Sequence, residues 1–177
     1  MPKSRTIVLG GARSGKSSFA ETLVNTSGKS KTYLATAQAF DTEMRQRIVD
    51  HVSSRGGNWH TIEAPLDAAS ALRTALPGSI VLLDCATLWL SNHLLAGNDL
   101  QAACDDMIDA INVCPGDVVI VSNEVGHGIV PDNALARQFR DAQGILNQRL
   151  ATICDLGVLV IAGLPLVLKG TLPESAK

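Results

Sequence analysis

The sequence predicts a three-layer α/β domain with a mostly parallel sheet, and three observations lead to that fold class. Short runs of aliphatic and β-branched residues alternate along the chain with helical patterns, as they do in α/β proteins. Four of the runs are apolar throughout, which is typical of strands that are covered on both faces. A glycine-rich turn also joins the first run to the first helical pattern.

The predicted strands and helices follow one another in regular order. The strands are six short runs at 7–9, 32–34, 59–62, 80–83, 118–121 and 158–161. The helical patterns lie at about 17–25, 43–55, 66–76, 99–112 and 134–154. Pro77-Gly78 and Pro115-Gly116 stand directly before two of the strands, where turns belong. Ligands of such a sheet bind at the carboxyl ends of its strands.

Length and composition indicate one globular domain. We expect a single nucleotide-binding catalytic domain over residues 1–177, with residues 171–177 as a loose tail. Hydrophobic residues make up 46% and charged residues 18% of the chain, a balance that disordered proteins do not show. The formal net charge of −2 gives no support to nucleic-acid binding.

Cysteine spacing and apolar length indicate a soluble cytoplasmic protein. The four cysteines form no C-x-x-C pair, so we expect buried free thiols in a reducing compartment. The first apolar run is too short for a signal sequence. The longest apolar stretch, 157–168, contains Gly163 and Pro165 and is too short to span a bilayer.

A phosphate-binding loop follows the first strand. The pattern G-x-x-x-x-G-K-[ST] is matched by Gly10, Gly11, Ala12, Arg13, Ser14, Gly15, Lys16 and Ser17. Backbone N–H groups of such a turn, together with the positive end of the following helix, hold phosphate oxygens. Lys16 is expected to reach the β- and γ-phosphates, and the Ser17 hydroxyl to bind Mg²⁺.

Two further strands end in carboxylates. The run 80–83 is followed by Asp84, as in the Walker B pattern, and Asp84 would hold Mg²⁺ directly or through water. The run 118–121 leads to Glu124. Glu124 has two interpretations of about equal weight: a general base or outer metal ligand, and a loop residue that holds the turn at 126–128 by hydrogen bonds.

A histidine with two basic neighbours lies in the helical pattern at 43–55. Arg47, His51 and Arg55 recur at i, i+4 and so share one face of the helix. Two nearby cations disfavour the protonated imidazole, and a neutral imidazole can attack an α-phosphorus. An ordinary exposed histidine on a charged helix has the same spacing, and spacing alone favours that second interpretation.

Several strings together are similar to one known family. They are the loop at 10–17, Tyr-Leu-Ala-Thr-Ala at 33–37, Asp-Thr-Glu-Met at 41–44 with Arg47, Ile48 and His51, Asn-Glu-Val-Gly-His-Gly-Ile-Val-Pro at 123–131, and the region 136–151. From Thr6 to about Gly170, the chain resembles the bifunctional adenosylcobinamide kinases / adenosylcobinamide-phosphate guanylyltransferases of cobalamin biosynthesis. The loop is shared by many enzymes, whereas the string at 123–131 is far more specific.

The resemblance implies a RecA-like P-loop fold and two reactions. One phosphorylates adenosylcobinamide with ATP or GTP. The other transfers GMP from GTP to adenosylcobinamide phosphate through a GMP–histidine intermediate, and the match assigns that histidine to His51. It also implies Mg²⁺, a homotrimer and a further set of GTP contacts: Ala35, Thr36, Ala37, Val52, Ser53, Ser54, Arg55, Glu63 and Asp84.

One departure and two alternatives accompany this interpretation. Some family members carry a histidine pair in this helix, whereas Asp50 precedes His51 here. His60, His93 and His127 fit the role less well, because they lie in a strand pattern, an apolar helix and a glycine-bounded loop.

The alternative functions are a small-molecule kinase without a covalent step and a non-catalytic GTP-binding switch. The apolar helix around residues 88–95 could line a corrinoid pocket, lie between subunits or pack in the core.

Overall fold

The computed structural model describes residues 3–38 and 58–174. Within these residues it contains seven strands and five helices. The strands are β1 Arg5–Gly10, β2 Lys31–Ala35, β3 Trp59–Glu63, β4 Ile80–Asp84, β5 Asp117–Asn123, β6 Leu156–Ile161 and β7 Leu164–Lys169. The helices are α1 Lys16–Thr26, α2 Ala68–Arg73, α3 Ala86–Leu95, α4 Leu100–Val113 and α5 Ala134–Ile153.

The strands form one sheet in the order β3-β2-β4-β5-β1-β6-β7. Every neighbouring pair is parallel except β6 and β7, which are antiparallel. The mostly parallel sheet and the six predicted strands are therefore confirmed. All the predicted helices within the described residues are also present, whereas the helical pattern at 43–55 lies outside them.

Strand β7 was not predicted. The sequence showed one interrupted apolar stretch at 157–168, but the chain reverses at Ala162 and Gly163, whose φ angles are 53° and 78°. Two consecutive residues in the left-handed region match the twist of a two-residue hairpin turn. The apolar stretch is thus two strands, and among the described residues no helix is long and apolar enough to cross a membrane.

Two hydrophobic cores cover the two faces of the sheet, as a three-layer domain requires. Ile7 and Val8 are neighbours on β1 and fully buried, yet they belong to different cores, because successive strand side chains point to opposite faces. The Val8 core includes residues of α1. The Ile7 core includes residues of α2, α3, α4 and α5.

Helix α3 contributes to the core. Trp89 is 2% exposed and Leu90 is fully buried, so the centre of this helix has the core-packing role among the three left open by the sequence. All four cysteines are buried free thiols, as predicted. Burial raises the pKa of the Cys154 thiol to about 12, which keeps it protonated and unreactive.

Candidate nucleotide-binding site

The phosphate-binding loop lies where it was predicted, between β1 and α1. Gly15 adopts the left-handed conformation with a φ of 94° and directly precedes α1. Arg13 is also left-handed, with a φ of 55°. Right- and left-handed residues in succession turn backbone N–H groups toward a common centre, which makes an anion-binding concavity. The loop therefore has the backbone geometry for binding phosphate.

The loop is packed closely against the end of the sheet. A Cβ atom added to Gly10 would lie 2.3 Å from Ser14 Oγ and 2.7 Å from the Val160 carbonyl oxygen. The N–H of Gly163, in the β6–β7 turn, donates to the Ser14 carbonyl at 2.8 Å. Gly10 is thus required by close backbone approach, and the unpredicted hairpin supports the loop from one side.

The register of the sheet aligns the strand ends that carry the predicted residues. Asp84 pairs with Ala35 of β2 and Val121 of β5. Gly10 pairs with Asn123 at the end of β5. The predicted residues Asp84, Ala35 and Gly10 therefore share the carboxyl edge of the sheet, where ligands of α/β domains bind.

The charges of Lys16 and Asp84 act on the same neighbourhood. Lys16 Nζ donates to the Gly11 carbonyl at 3.1 Å, so the ammonium lies over the loop. Burial raises the pKa of the Cys85 thiol to about 12; the Asp84 charge adds to the rise and the Lys16 charge opposes it. The cation of the loop and the carboxylate of β4 thus have opposite effects on the same thiol.

Thr36 has a structural role that the sequence did not reveal. It is fully buried, and its hydroxyl accepts from the Cys85 N–H at 2.7 Å and donates to the Cys85 carbonyl at 2.8 Å. Asn92 Nδ2 also donates to the Thr36 carbonyl. The hydroxyl is therefore engaged in holding the segment after Asp84, across 49 positions of sequence, and no local pattern signals such a contact.

The predicted nucleotide contacts fall into two groups along the edge. One group is the loop after β1. The other is Ala35–Ala37 with Glu63, which is exposed at the end of the outer strand β3. Asp84 lies between the two groups, since it pairs with Ala35 and β5 separates its strand from β1. Three strands separate β3 from β1, which places Glu63 about 19 Å from Gly10 at about 4.8 Å per strand. Arg47, His51 and the predicted contacts Val52, Ser53, Ser54 and Arg55 lie outside the described residues.

Glu124 makes the hydrogen bond expected of a loop-holding residue. Its Oε1 accepts from the Gly126 N–H at 2.8 Å, and His127 Nε2 lies 3.9 Å from the same oxygen. Its own N–H donates to the Gly10 carbonyl at 3.1 Å. Glu124 therefore stands next to the phosphate-binding loop, and its catalytic role stays a prediction.

Oxygen donors at this edge suit magnesium. Across residues 3–38 and 58–174, no group of three or more His, Cys, Asp or Glu side chains is placed to hold a metal ion. Mg²⁺ needs no such cage, because it keeps several waters and is usually bound by one or two carboxylates together with substrate phosphates. A hydroxyl from Ser17 and a carboxylate from Asp84 fit that donor set.

A buried polar cluster behind the site was also missed by sequence reasoning. Thr87, Ser122, Gln143 and Asn147 are each at most 6% exposed and are joined by hydrogen bonds. They come from α3, β5 and α5. Gln143 and Asn147 are four residues apart on a helix, but no local pattern shows that this pair faces the end of β5.

Fold and loop together define the class: a P-loop nucleotide-binding domain with a RecA-like fold. The chain is similar to the RadB recombinase, with a TM-score of 0.51 and 17% identity over 89% of this chain and 74% of that one. It is also similar to an ATPase of a bacterial type III secretion system, with a TM-score of 0.57 and 11% identity over 98% of this chain and 60% of that one. At these identities the likeness shows the fold alone.

Sequence comparison places the chain within one family of that class. Residues 6–168 match the model of the family described as cobinamide kinase / cobinamide phosphate guanyltransferase. The bifunctional adenosylcobalamin biosynthesis protein CobP of Pseudomonas aeruginosa is 44% identical over 94% of this chain and 98% of its own length. The bifunctional adenosylcobalamin biosynthesis protein CobU of Salmonella typhimurium is 41% identical over 92% of this chain and 98% of its own length. The chain belongs to this family and is an enzyme with its kinase and guanyltransferase activities.

Proposed function

We propose that this enzyme phosphorylates adenosylcobinamide with ATP or GTP and then transfers GMP from GTP to the new phosphate. The products of the second step are adenosyl-GDP-cobinamide and pyrophosphate. The observation that carries the proposal is that the phosphate-binding loop and Asp84 lie at the same carboxyl edge of the sheet, in a chain of the cobinamide kinase / cobinamide phosphate guanyltransferase family.

In the kinase step, the loop holds the triphosphate while the phosphoryl group moves. The terminal hydroxyl oxygen of the cobinamide side chain bonds to the γ-phosphorus and gives up its proton to water, and the bond from that phosphorus to the β–γ bridging oxygen breaks. Negative charge develops on the departing diphosphate. Lys16 and the loop N–H groups stabilise that charge, because they are already oriented when the reaction begins.

Magnesium is the metal that we assign to this site. Ser17 and Asp84 would hold it beside the phosphate-binding loop. When bound, Mg²⁺ neutralises part of the charge on the phosphate oxygens.

In the guanylyl step, His51 is the proposed nucleophile. An imidazole nitrogen bonds to the α-phosphorus of GTP, and pyrophosphate leaves. An oxygen of adenosylcobinamide phosphate then bonds to the same phosphorus, and the bond to the histidine breaks. The covalent route divides one transfer between two bulky anions into two easier steps.

The two groups of predicted contacts divide the nucleotide between them in this proposal. The loop takes the phosphates. Ala35, Ala37 and Glu63 contact GTP at the other part of the edge. Val52, Ser53, Ser54 and Arg55 are further proposed contacts to GTP. Thr36 contributes by fixing the backbone between Ala35 and Ala37, since its hydroxyl is already hydrogen-bonded to the backbone of Cys85.

A homotrimer in the cytoplasm completes the proposal. All six residues of β7 are exposed, and Leu164, Leu166 and Leu168 are each more than half exposed. Exposed apolar edge strands favour association with other chains, which supports packing between copies of this chain. The four free thiols suit a reducing compartment.

The covalent step is tested by replacing the histidine. We expect His51→Ala to abolish GMP transfer and to retain cobinamide phosphorylation, because only GMP transfer uses the imidazole. The protein is incubated with GTP and Mg²⁺, and mass spectrometry maps any GMP adduct to its residue. His60→Ala is the matched control, since His60 is exposed on β3 and should leave the adduct unchanged.

The outcomes separate the proposal from its rivals. A His51→Ala enzyme with full guanylyl transfer would exclude the histidine intermediate. Phosphorylation of cobinamide without any protein-bound GMP would favour a plain kinase. Binding of GTP without transfer to any acceptor would favour a nucleotide-dependent switch.

A further inference from the structure

The end of strand β5 loses its partner on one side at the candidate site. Strands β4 and β5 stay paired as far as Asp84 and Val121. Beyond that point the chain of β4 turns into α3, whereas β5 continues to Asn123. The N–H and carbonyl of Asn123 need other partners, because buried backbone groups that lack hydrogen bonds are strongly destabilising.

Two side chains supply these partners. Thr87 Oγ1 accepts from the Asn123 N–H at 2.7 Å. Asn147 Nδ2 donates to the Asn123 carbonyl at 3.0 Å. Thr87 lies three residues after Asp84, in the first turn of α3, and Asn147 lies on α5. One hydrogen bond therefore joins the β5 end to the segment that carries Asp84, and the other joins it to a helix behind the sheet.

Two more polar residues fix these side chains in turn. Ser122 Oγ donates to Asn147 Oδ1 at 2.7 Å, and it lies 3.5 Å from Thr87 Oγ1. Gln143 Nε2 donates both to Ser122 Oγ and to Asn147 Oδ1, each at 2.9 Å. Donors and acceptors alternate consistently through the cluster, so each side chain limits the orientation of its neighbours.

The same strand end touches the phosphate-binding loop on its other side. Gly10 pairs with Asn123 in the sheet, and the Glu124 N–H donates to the Gly10 carbonyl at 3.1 Å. The cluster is thus joined to Gly10 through Asn123 and Glu124, and to the Asp84 segment through Thr87. It lies between the two parts of the site that act on phosphate.

Stability alone does not explain the cluster. Ser122 and Gln143 are fully buried, and among the described residues Gln143 Oε1 and Asn123 Oδ1 are buried without a hydrogen-bond partner. Burial of polar groups is unfavourable when partners are missing. Apolar side chains in place of Ser122 and Gln143, which do not bond to the Asn123 backbone, would fill this space with less desolvation. What the polar groups add is a fixed orientation of the β5 end.

We propose that Thr87, Ser122, Gln143 and Asn147 form a positioning cluster that fixes the Asn123–Glu124 strand end against the phosphate-binding loop. The cluster acts on the phosphoryl-transfer step rather than on nucleotide affinity. This inference rests on the proposed kinase function. It assigns a positioning role to four side chains that bond to the backbone of Asn123 or to one another.

The test replaces one hydroxyl and then restores it. Thr87→Val keeps the shape of the side chain but removes the acceptor for the Asn123 N–H, and Thr87→Ser returns it. We expect Thr87→Val to lower the kinase kcat by about tenfold or more, since small displacements of reacting groups have effects of this size. We expect the KM for GTP to change by less than about threefold, because the loop that binds the phosphates is unaltered. Thr87→Ser should stay within about threefold of the wild type in both constants.

Three further measurements make the result specific. Thr152→Val is the control, because Thr152 is exposed on α5 and its hydroxyl bonds only within that helix. Formation of protein-bound GMP from GTP does not use the cobinamide hydroxyl. Its rate in Thr87→Val should therefore stay within about threefold of the wild-type rate. Asn147→Asp keeps the acceptor for Ser122 and Gln143 but loses the donor to Asn123, and it should show the same fall in kcat. Asn147→Asp decides the question if Thr87→Val does not fold.

The proposal is overturned if Thr87→Val has an unaltered kinase kcat, or if Thr87→Ser is as impaired as Thr87→Val. It is also overturned if the KM for GTP rises by the same factor by which kcat falls. A wild-type enzyme that phosphorylates no cobinamide contradicts the proposed function itself. An active wild type with an unaffected Thr87→Val variant contradicts only the cluster.

Discussion

The two halves of the carboxyl edge hold their candidate residues in different ways. On the β1 half, the loop is built from backbone: left-handed residues at Arg13 and Gly15 and the contact between Gly10 and Ser14 leave little room for change. On the β2–β3 half, Glu63 is an exposed side chain at an outer strand. The comparison indicates that the proposed phosphate binding depends on chain geometry, whereas Glu63 on the other half would act through its exposed side chain.

The two halves should therefore respond differently to substitution. A change of backbone space in the loop alters the packing of the protein as well as its activity, because the loop, the β6–β7 turn and the end of β5 contact one another. A change at the exposed Glu63 should alter little besides its proposed contact with GTP. Three substitutions test this difference.

The largest effect is expected on the loop half, at Lys16. Lys16→Ala removes the cation that stabilises charge on the phosphates, and we expect both activities to fall by about a hundredfold. Lys31→Ala is the control on the β2 half, where the ammonium lies 5.1 Å from the centre of the Trp59 ring. Steady-state kinetics of both reactions measure the difference. Normal GTP affinity and turnover in Lys16→Ala would argue against phosphate binding by this loop.

An intermediate effect is expected at Gly10. The added Cβ of Gly10→Ala would overlap Ser14 Oγ and the Val160 carbonyl, so we expect the free energy of unfolding to fall by about 1–3 kcal/mol. The KM for GTP should rise in the same variant, because the loop must shift. Gly11→Ala adds the same atom where nothing lies within 4 Å. Denaturant unfolding of the two variants makes the comparison, and equal stabilities would show that the loop is less closely packed than described.

The smallest effect is expected on the β3 half. Glu63→Gln removes a charge from an exposed side chain, so we expect the free energy of unfolding to stay within about 0.5 kcal/mol. The KM for GTP in guanylyl transfer should rise about fivefold, because hydrogen bonds to a charged group are the stronger ones. Asp67→Asn is the control, since Asp67 caps α2 by accepting from Ser70 N–H and asparagine caps equally well. A Glu63→Gln enzyme with unchanged GTP kinetics would remove Glu63 from the site.

Local sequence patterns predicted most of the strands and the phosphate-binding loop. Buried runs such as 80–83 and 118–121 were placed correctly, because continuous apolar runs are a direct consequence of burial on both faces. Strand β7 was missed because its apolar side chains are exposed, the reverse of what burial predicts. Its turn also depends on left-handed angles at Ala162, a residue type that gives no turn signal.

Within the site, the sequence by itself determined which residues are proposed to bind phosphate. The loop pattern fixes which amides, which lysine and which hydroxyl lie together, because all of them occur within eight consecutive positions. Only the tertiary structure decided how that loop is held. Thr36 reaches Cys85, Asn147 reaches Asn123 and Gly163 reaches Ser14 across long separations in sequence. These contacts depend on the order of strands in the sheet, and no local pattern encodes that order.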